Sequence, residues 1–233
     1  MKKYLLYGLL VLSVLTNIFV LCYVFSDKDK SASEKSSNED TVALSNYENR
    51  QKTAEIAMKK LVCDNLYYPQ SYDPVSTQVD SVFYNYLTDV DCVEAAIELI
   101  DMRKAYETAK DSYDENNNNI KTFGGSGVFH HFTVDRNAAS AKMKELRPKI
   151  ERRELLIKNR DTSKDGTFIG WQVIHRYRAS NSNGVVSFGD VLYILNPQMN
   201  QYFLRYSLDK NDEHNLESIK RVIESELNIY TNE

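Results

Sequence analysis

Between Phe168 and Ala179 apolar and polar positions alternate with a period of two. Ile169, Trp171, Val173, His175 and Tyr177 share one parity, and Gln172, Arg176 and Arg178 share the other, the pattern of a half-buried strand. Asn181-Ser182-Asn183-Gly184 supplies the positive-φ residues of a tight reversal. The next run, Val185 to Leu195, is apolar on both parities: Val191, Tyr193 and Leu195 on one, Phe188, Leu192 and Ile194 on the other. Such a strand must be covered on both faces. Asn196-Pro197-Gln198-Met199-Asn200 ends it, and Gln201 to Leu208 completes a three-strand antiparallel meander with Trp171 in its core.

Helical spacing dominates elsewhere. A capping pattern, Ser45-x-x-Glu48, opens a stretch running to Leu66 with Ile56, Met58, Leu61 and Val62 among charged residues, and Tyr67-Tyr68-Pro69 stops it. Val75, Thr77, Val79, Ser81 and Phe83 alternate, which predicts a further strand of the same sheet. Val79, Val82, Phe83 and Tyr86 would also share a helix face, and the strand is the preferred reading. From Thr88-x-x-Asp91, apolar residues at Val90, Val93, Ile97 and Ile100 form a short coiled-coil seam that fades beyond Lys104, and Asn116 to Asn119 is expected to end the helix. A second arm, Asn137 to Lys158, carries Ala139, Met143, Leu146, Ile150 and Ile157, with Pro148 expected to kink it. The two arms read as an antiparallel helical hairpin inserted at about residues 88–160. Leu216, Ile219, Ile223 and Leu227 predict a last amphipathic helix that covers the sheet. The expected fold is therefore α+β: an antiparallel meander packed by N- and C-terminal helices, with an inserted helical hairpin and an N-terminal transmembrane helix.

The transmembrane expectation rests on Tyr4 to Phe25, an uncharged run long enough at ~1.5 Å per residue to cross ~30 Å of hydrocarbon. It exceeds a usual signal-peptide core, and Leu21 before Cys22 does not suit lipoprotein processing, so an uncleaved signal-anchor (residues 1–25) is preferred. Lys2 and Lys3 favour a cytoplasmic N-terminus, which puts the remainder in the cell envelope, outside the cytoplasm. Residues 26–41 are rich in serine and in charges of both signs and read as a flexible tether to one domain, residues 42–233. A formal charge of -4 with interspersed signs argues against nucleic acid as a partner.

Tyr68-Pro69-Gln70-Ser71-Tyr72-Asp73-Pro74, followed far downstream by Trp171-x-Val173, Tyr177-x-Ala179-x-Asn181 and Gly184, resembles small envelope-anchored α+β modules of uncharacterised function. The resemblance covers the flanks of the domain, with Thr88 to Arg160 as an insertion, and implies location and fold. No functional residue follows from it.

Candidate chemistry is sparse. Gly124-Gly125-Ser126-Gly127 lacks the Lys-Ser or Lys-Thr of a phosphate cradle, and no cofactor is expected. His130 and His131 are adjacent, a spacing unsuited to one metal, and they read with Phe129 and Phe132 as an aromatic and polar cluster. Cys63 and Cys92 lie in apolar, helical surroundings and form either one disulfide or two inert thiols. Arg176 and Arg178, near Asp190, form either cross-strand ion pairs or an anion-recognition surface. Tyr67, Tyr68 and Tyr72, among 16 tyrosines, either pack a helix on the sheet or make an aromatic surface for an envelope protein or glycan. These five residues are the candidate partner-binding surface. The function expected is a membrane-anchored binding or scaffold protein without enzymatic activity; the alternative is an extracytoplasmic hydrolase with dispersed catalytic residues.

The topology is open to a direct test. A single cysteine at Ser33, in a background lacking the native cysteines, is expected to react with a membrane-impermeant reagent in cells whose inner membrane is intact. Labelling only after lysis would reverse the orientation.

Overall fold

The computed structural model describes the backbone of residues 36–229 and the side chains of residues 46–229. By compactness the chain divides into two units, residues 1–49 and 50–233, of which the second holds the sheet. In chain order the elements are helix α1 (Ser36–Cys63), strand β1 (Asp73–Phe83), helices α2 (Val90–Phe123) and α3 (His130–Lys158), strands β2 (Phe168–Ser180), β3 (Val186–Leu195) and β4 (Tyr202–Ser207), and helix α4 (Leu216–Leu227). The class is α+β, with one four-stranded antiparallel sheet in the order β1-β2-β3-β4. Among the described residues no helix is long and apolar enough to cross a membrane. The run Tyr4 to Phe25 lies outside them.

The two parities of β3 build two cores. Val191, Tyr193 and Leu195, with Val79, Val173 and Met199, bury against Ala54, Met58 and Val62 of α1. Leu192 and Ile194, with Val82, Leu204 and Tyr206, bury against Cys92, Val93, Ala95, Ala96 and Leu99 of α2, Ile157 of α3, and Ile219 and Ile223 of α4. The base of the hairpin thus forms most of one helical layer rather than an appendage to a finished domain. Glu226 of α4, itself buried, ties the layer together by pairing with Arg103 of α2 and, at 3.0 Å, with Lys158 of α3.

Several sequence expectations shift. Ile169 sits with the α2–α4 core, across the sheet from Trp171 and Val173, because the register passes from Val82↔Gly170 to Phe83↔Phe168 and bulges at Ile169. Trp171 is half-buried, donating from Nε1 to the Pro197 carbonyl at 3.1 Å, and Arg50 lies 5.1 Å from its ring centre; it is a rim residue and not the centre of the core. Helix α1 starts at Ser36, before the expected Ser45 cap, and so includes the last six residues of the expected tether. The cap of α2 is Asp89, whose carboxylate accepts from the Cys92 amide, while Thr88 accepts from the Asn85 amide at 2.7 Å.

Through Asn116 to Asn119 the helix α2 continues, with Asn116 bonding back to the Ser112 carbonyl at 2.8 Å, and it stops only at Gly124, whose φ is +85°. Helix α3 starts seven residues earlier than expected and runs unbroken through Pro148. The arms pair with each other, as expected: Glu98 meets Arg153, Arg103 meets Glu154 and Tyr106 meets Arg147, so Val93 lies far along the hairpin from Met143, which lines a hollow with Tyr106 and Tyr113. The two cysteines among the described residues are free thiols, Cys92 buried in the α2–α4 core and Cys63 half-buried on α1.

Gly170 is the sharpest local requirement in the sheet. Its φ is +150°, and a Cβ there would lie 2.0 Å from the Leu195 carbonyl oxygen. Gly184 in the β2–β3 turn also has positive φ (+76°) but open space around it. Gly170→Ala is expected to cost about 3 kcal/mol or more, combining backbone strain with overpacking, and Gly184→Ala ~1–2 kcal/mol. Urea midpoints measure both, and equal losses would show that the bulge does not demand glycine.

Candidate functional site

A cavity of about 560 Å³ lies between α1 and β1. Successive turns of α1 supply Lys52, Glu55, Ile56 and Lys59 to one wall. β1 supplies Pro74 to Thr77, and Tyr72 and His175 form the floor. The open side of β1 faces α1 here, where Gln51 Nε2 donates to the Thr77 carbonyl at 2.7 Å and caps that part of the edge. Among the described residues, the Oε1 of the same Gln51 amide is one of the buried side-chain atoms without a hydrogen-bond partner.

His175 is 1% exposed and both ring nitrogens are engaged: Nε2 lies 2.9 Å from the Tyr72 hydroxyl and Nδ1 3.0 Å from the Thr77 hydroxyl. A neutral imidazole satisfies this pair by donating to one hydroxyl and accepting from the other. Burial pushes its pKa below the ordinary 6.5, with the Ser76 backbone and the charge of Glu55 opposing that shift. The same burial pushes the Tyr72 phenol up to about 12, with Cys63, Tyr177 and Glu55 adding to it. The ring of Tyr177 stacks on His175 at 5.7 Å and lies 5.9 Å from Tyr72. Its place depends on Gly189 in the next strand, where a Cβ would come within 2.4 Å of the ring. Cross-strand packing therefore sets the Tyr72, His175 and Tyr177 group, and the chemistry at the floor is that of neutral hydrogen-bonding groups beside a cationic and apolar wall.

The five residues expected as one partner surface do not come together. Tyr72 turns inward to His175, while Tyr67 is exposed in the loop after α1 and meets Tyr68 edge-on at 4.8 Å. Arg176 and Arg178 are exposed on the opposite parity of β2. Arg176 pairs with Asp190 at 3.4 Å and covers the Phe188 ring at 4.7 Å, and Arg178 pairs with Asp73 at 2.5 Å. Both arginines thus serve cross-strand ion pairs. His130 and His131 stand at the hairpin tip, and among the described residues no group of three or more His, Cys, Asp or Glu side chains is placed to hold a metal ion. Ile56 and Thr77 were read from the sequence only as helix and strand positions, and Lys52 and Lys59 not at all; the available signal was Lys52, Ile56 and Lys59 on one face of a helix predicted to border a strand.

Compared with protein-family models, with curated proteins and with solved structures, the chain gives no match.

Titration of His175 gives a stability test. Its folded pKa lies below its unfolded value, so as the pH falls through 6.5 the unfolded chain takes up a proton that the folded chain resists. The His175 contribution is present above that range and is lost toward pH 5, with a slope of at most ~1.4 kcal/mol per pH unit. His175→Gln is expected to flatten the fall in urea midpoint between pH 7.5 and 5. Parallel curves for the two proteins would show that His175 titrates alike in both states.

Proposed function

We propose that the chain is a membrane-anchored, extracytoplasmic binding module without enzymatic activity, whose ligand sits in the cavity between α1 and β1. One observation carries the reading: a sizeable open cavity with an apolar wall, two lysines at its rim and a floor of neutral hydrogen-bonding groups held rigidly by cross-strand packing. Lys52 and Lys59 against the single Glu55 favour a ligand with an anionic group. Ile56, Pro74 and Val75 offer a face for its apolar part. Binding suits the floor better than catalysis, because Tyr72 stays protonated at neutral pH and His175 is buried between two hydroxyls. The anchor and its orientation are supported by the uncharged run Tyr4 to Phe25 behind Lys2 and Lys3.

A photocrosslinking residue at Ile56, in the full chain in its own cells, is expected to give a defined adduct that disappears when Lys52 and Lys59 are both changed to Glu. An adduct insensitive to that charge reversal, or one formed equally from the exposed Leu155 on α3, in the helical layer across the sheet from α1, would overturn the assignment of the site.

A further inference from the structure

The far end of the helical hairpin lies outside that reading. Arg103 and Lys104 of α2 pair with Glu226 of α4 and Glu213 of the loop before it. From there to Phe123 the arm continues for 19 residues, a reach of about 28 Å at helical rise. Small buried residues, Ala109 and Ala139, hold the arms together along it. An extension of this kind positions whatever is at its end.

At that end stands a shaped, apolar tip. Gly124 and Gly127 turn the chain with φ of +85° and +63°. Thr133 donates to the Gly125 carbonyl at 3.0 Å, and a Cβ on Gly125 would lie 2.6 Å from the Thr133 hydroxyl, so the turn is tightly seated. Phe123, Phe129 and Phe132 stack on one another with ring centres 5.7 to 6.3 Å apart. Yet the cluster is not hidden: Phe123 is 54% exposed, Val134 51%, and Val128 projects from the turn at 84%.

Charge separates possible occupants. From Ile120 to Val134 there is no Asp or Glu, although the chain holds 33 among 233 residues and carries a net -4. The only formal charge in that stretch is Lys121, accompanied by His130 and His131. A knob of aromatic and aliphatic side chains, with no carboxylate between Ile120 and Val134 and with Lys121 as its cation ahead of the Asp135-Arg136 pair, matches the interface of an anionic bilayer, where aromatic rings seat at headgroup level and cations meet lipid phosphates. We infer that the hairpin tip docks into the headgroup region of a bilayer containing anionic lipid, with Val128, Phe129 and Phe123 as the inserting residues.

The test uses the full chain in nanodiscs, with an environment-sensitive fluorophore on Val128→Cys and with Cys22, Cys63 and Cys92 changed to alanine. Brominated lipid is placed either in the nanodisc or in added vesicles, each made from phosphatidylcholine alone or with phosphatidylglycerol. Quenching and a blue shift are expected with the anionic composition in one of the two arms, weak with phosphatidylcholine alone and reduced at high salt. Phe129→Ser with Phe132→Ser, both remote from the cores, is expected to weaken docking at least tenfold with an unchanged circular dichroism spectrum. A Val128 probe quenched no more than one at Val186 in every arm, or quenched equally by both compositions, would overturn the inference. So would a tip that crosslinks in cells to a protein while ignoring both bilayers.

Discussion

A strand that is apolar on both sides has to be covered twice, and this requirement on β3 organises the molecule. Val191, Tyr193 and Leu195 need a layer on one face, and Leu192 and Ile194 need another. A single helix, α1, meets the first need. The second is met by three helices that have to converge, and two of them come from the insertion. The long hairpin is therefore fixed to the fold at its base by the same force that holds the sheet, with Glu226 fastening its two arms to α4 through Arg103 and Lys158. Beyond that base the arms pack on each other through Ala109 and Ala139.

Much of this was legible in the residues because the periods are strong. The meander, its Asn-rich turns, the two-sided burial of β3 and the apolar face of α4 all follow from spacing. Failures have physical causes. Ile169 was assigned to the wrong face since a bulge inverts parity without changing residue types, and its only trace was Gly170. Of the seam read on α2, Val93 is buried with Ile97 and Ile100 packed against the core while Val90 is exposed, and the small residues Cys92, Ala95 and Ala96, not read into the seam, are buried in the same core. Alanine carries too little hydropathy to announce that burial. The four asparagines were read as a helix end because their side chains compete for backbone groups, whereas Asn116 makes that competing bond within the helix.

The candidate site was less legible, since it is made of pairings between distant segments. Tyr72 was noticed for its company with Tyr67 and Tyr68, yet its partners are His175 and Tyr177, more than a hundred residues away. Only the β1–β2 register brings them together. Arg176 and Arg178 were adjacent to those residues in sequence and on the opposite face in space, which is the ordinary consequence of a period of two.

The placement of the hairpin also bears on how the chain finds its fold. β1 and β2 pair across a connection of 84 residues between Phe83 and Phe168, a long loop for an edge pairing to close. Once α2 and α3 zip together, which needs only local contacts, Val90 and Lys158 become neighbours and the loose chain still to be closed shrinks to about fifteen residues. On the logarithmic dependence of loop entropy that shortening is worth roughly 1.5 kcal/mol. The insertion that separates the two strands in sequence is thus the device that shortens the path between them.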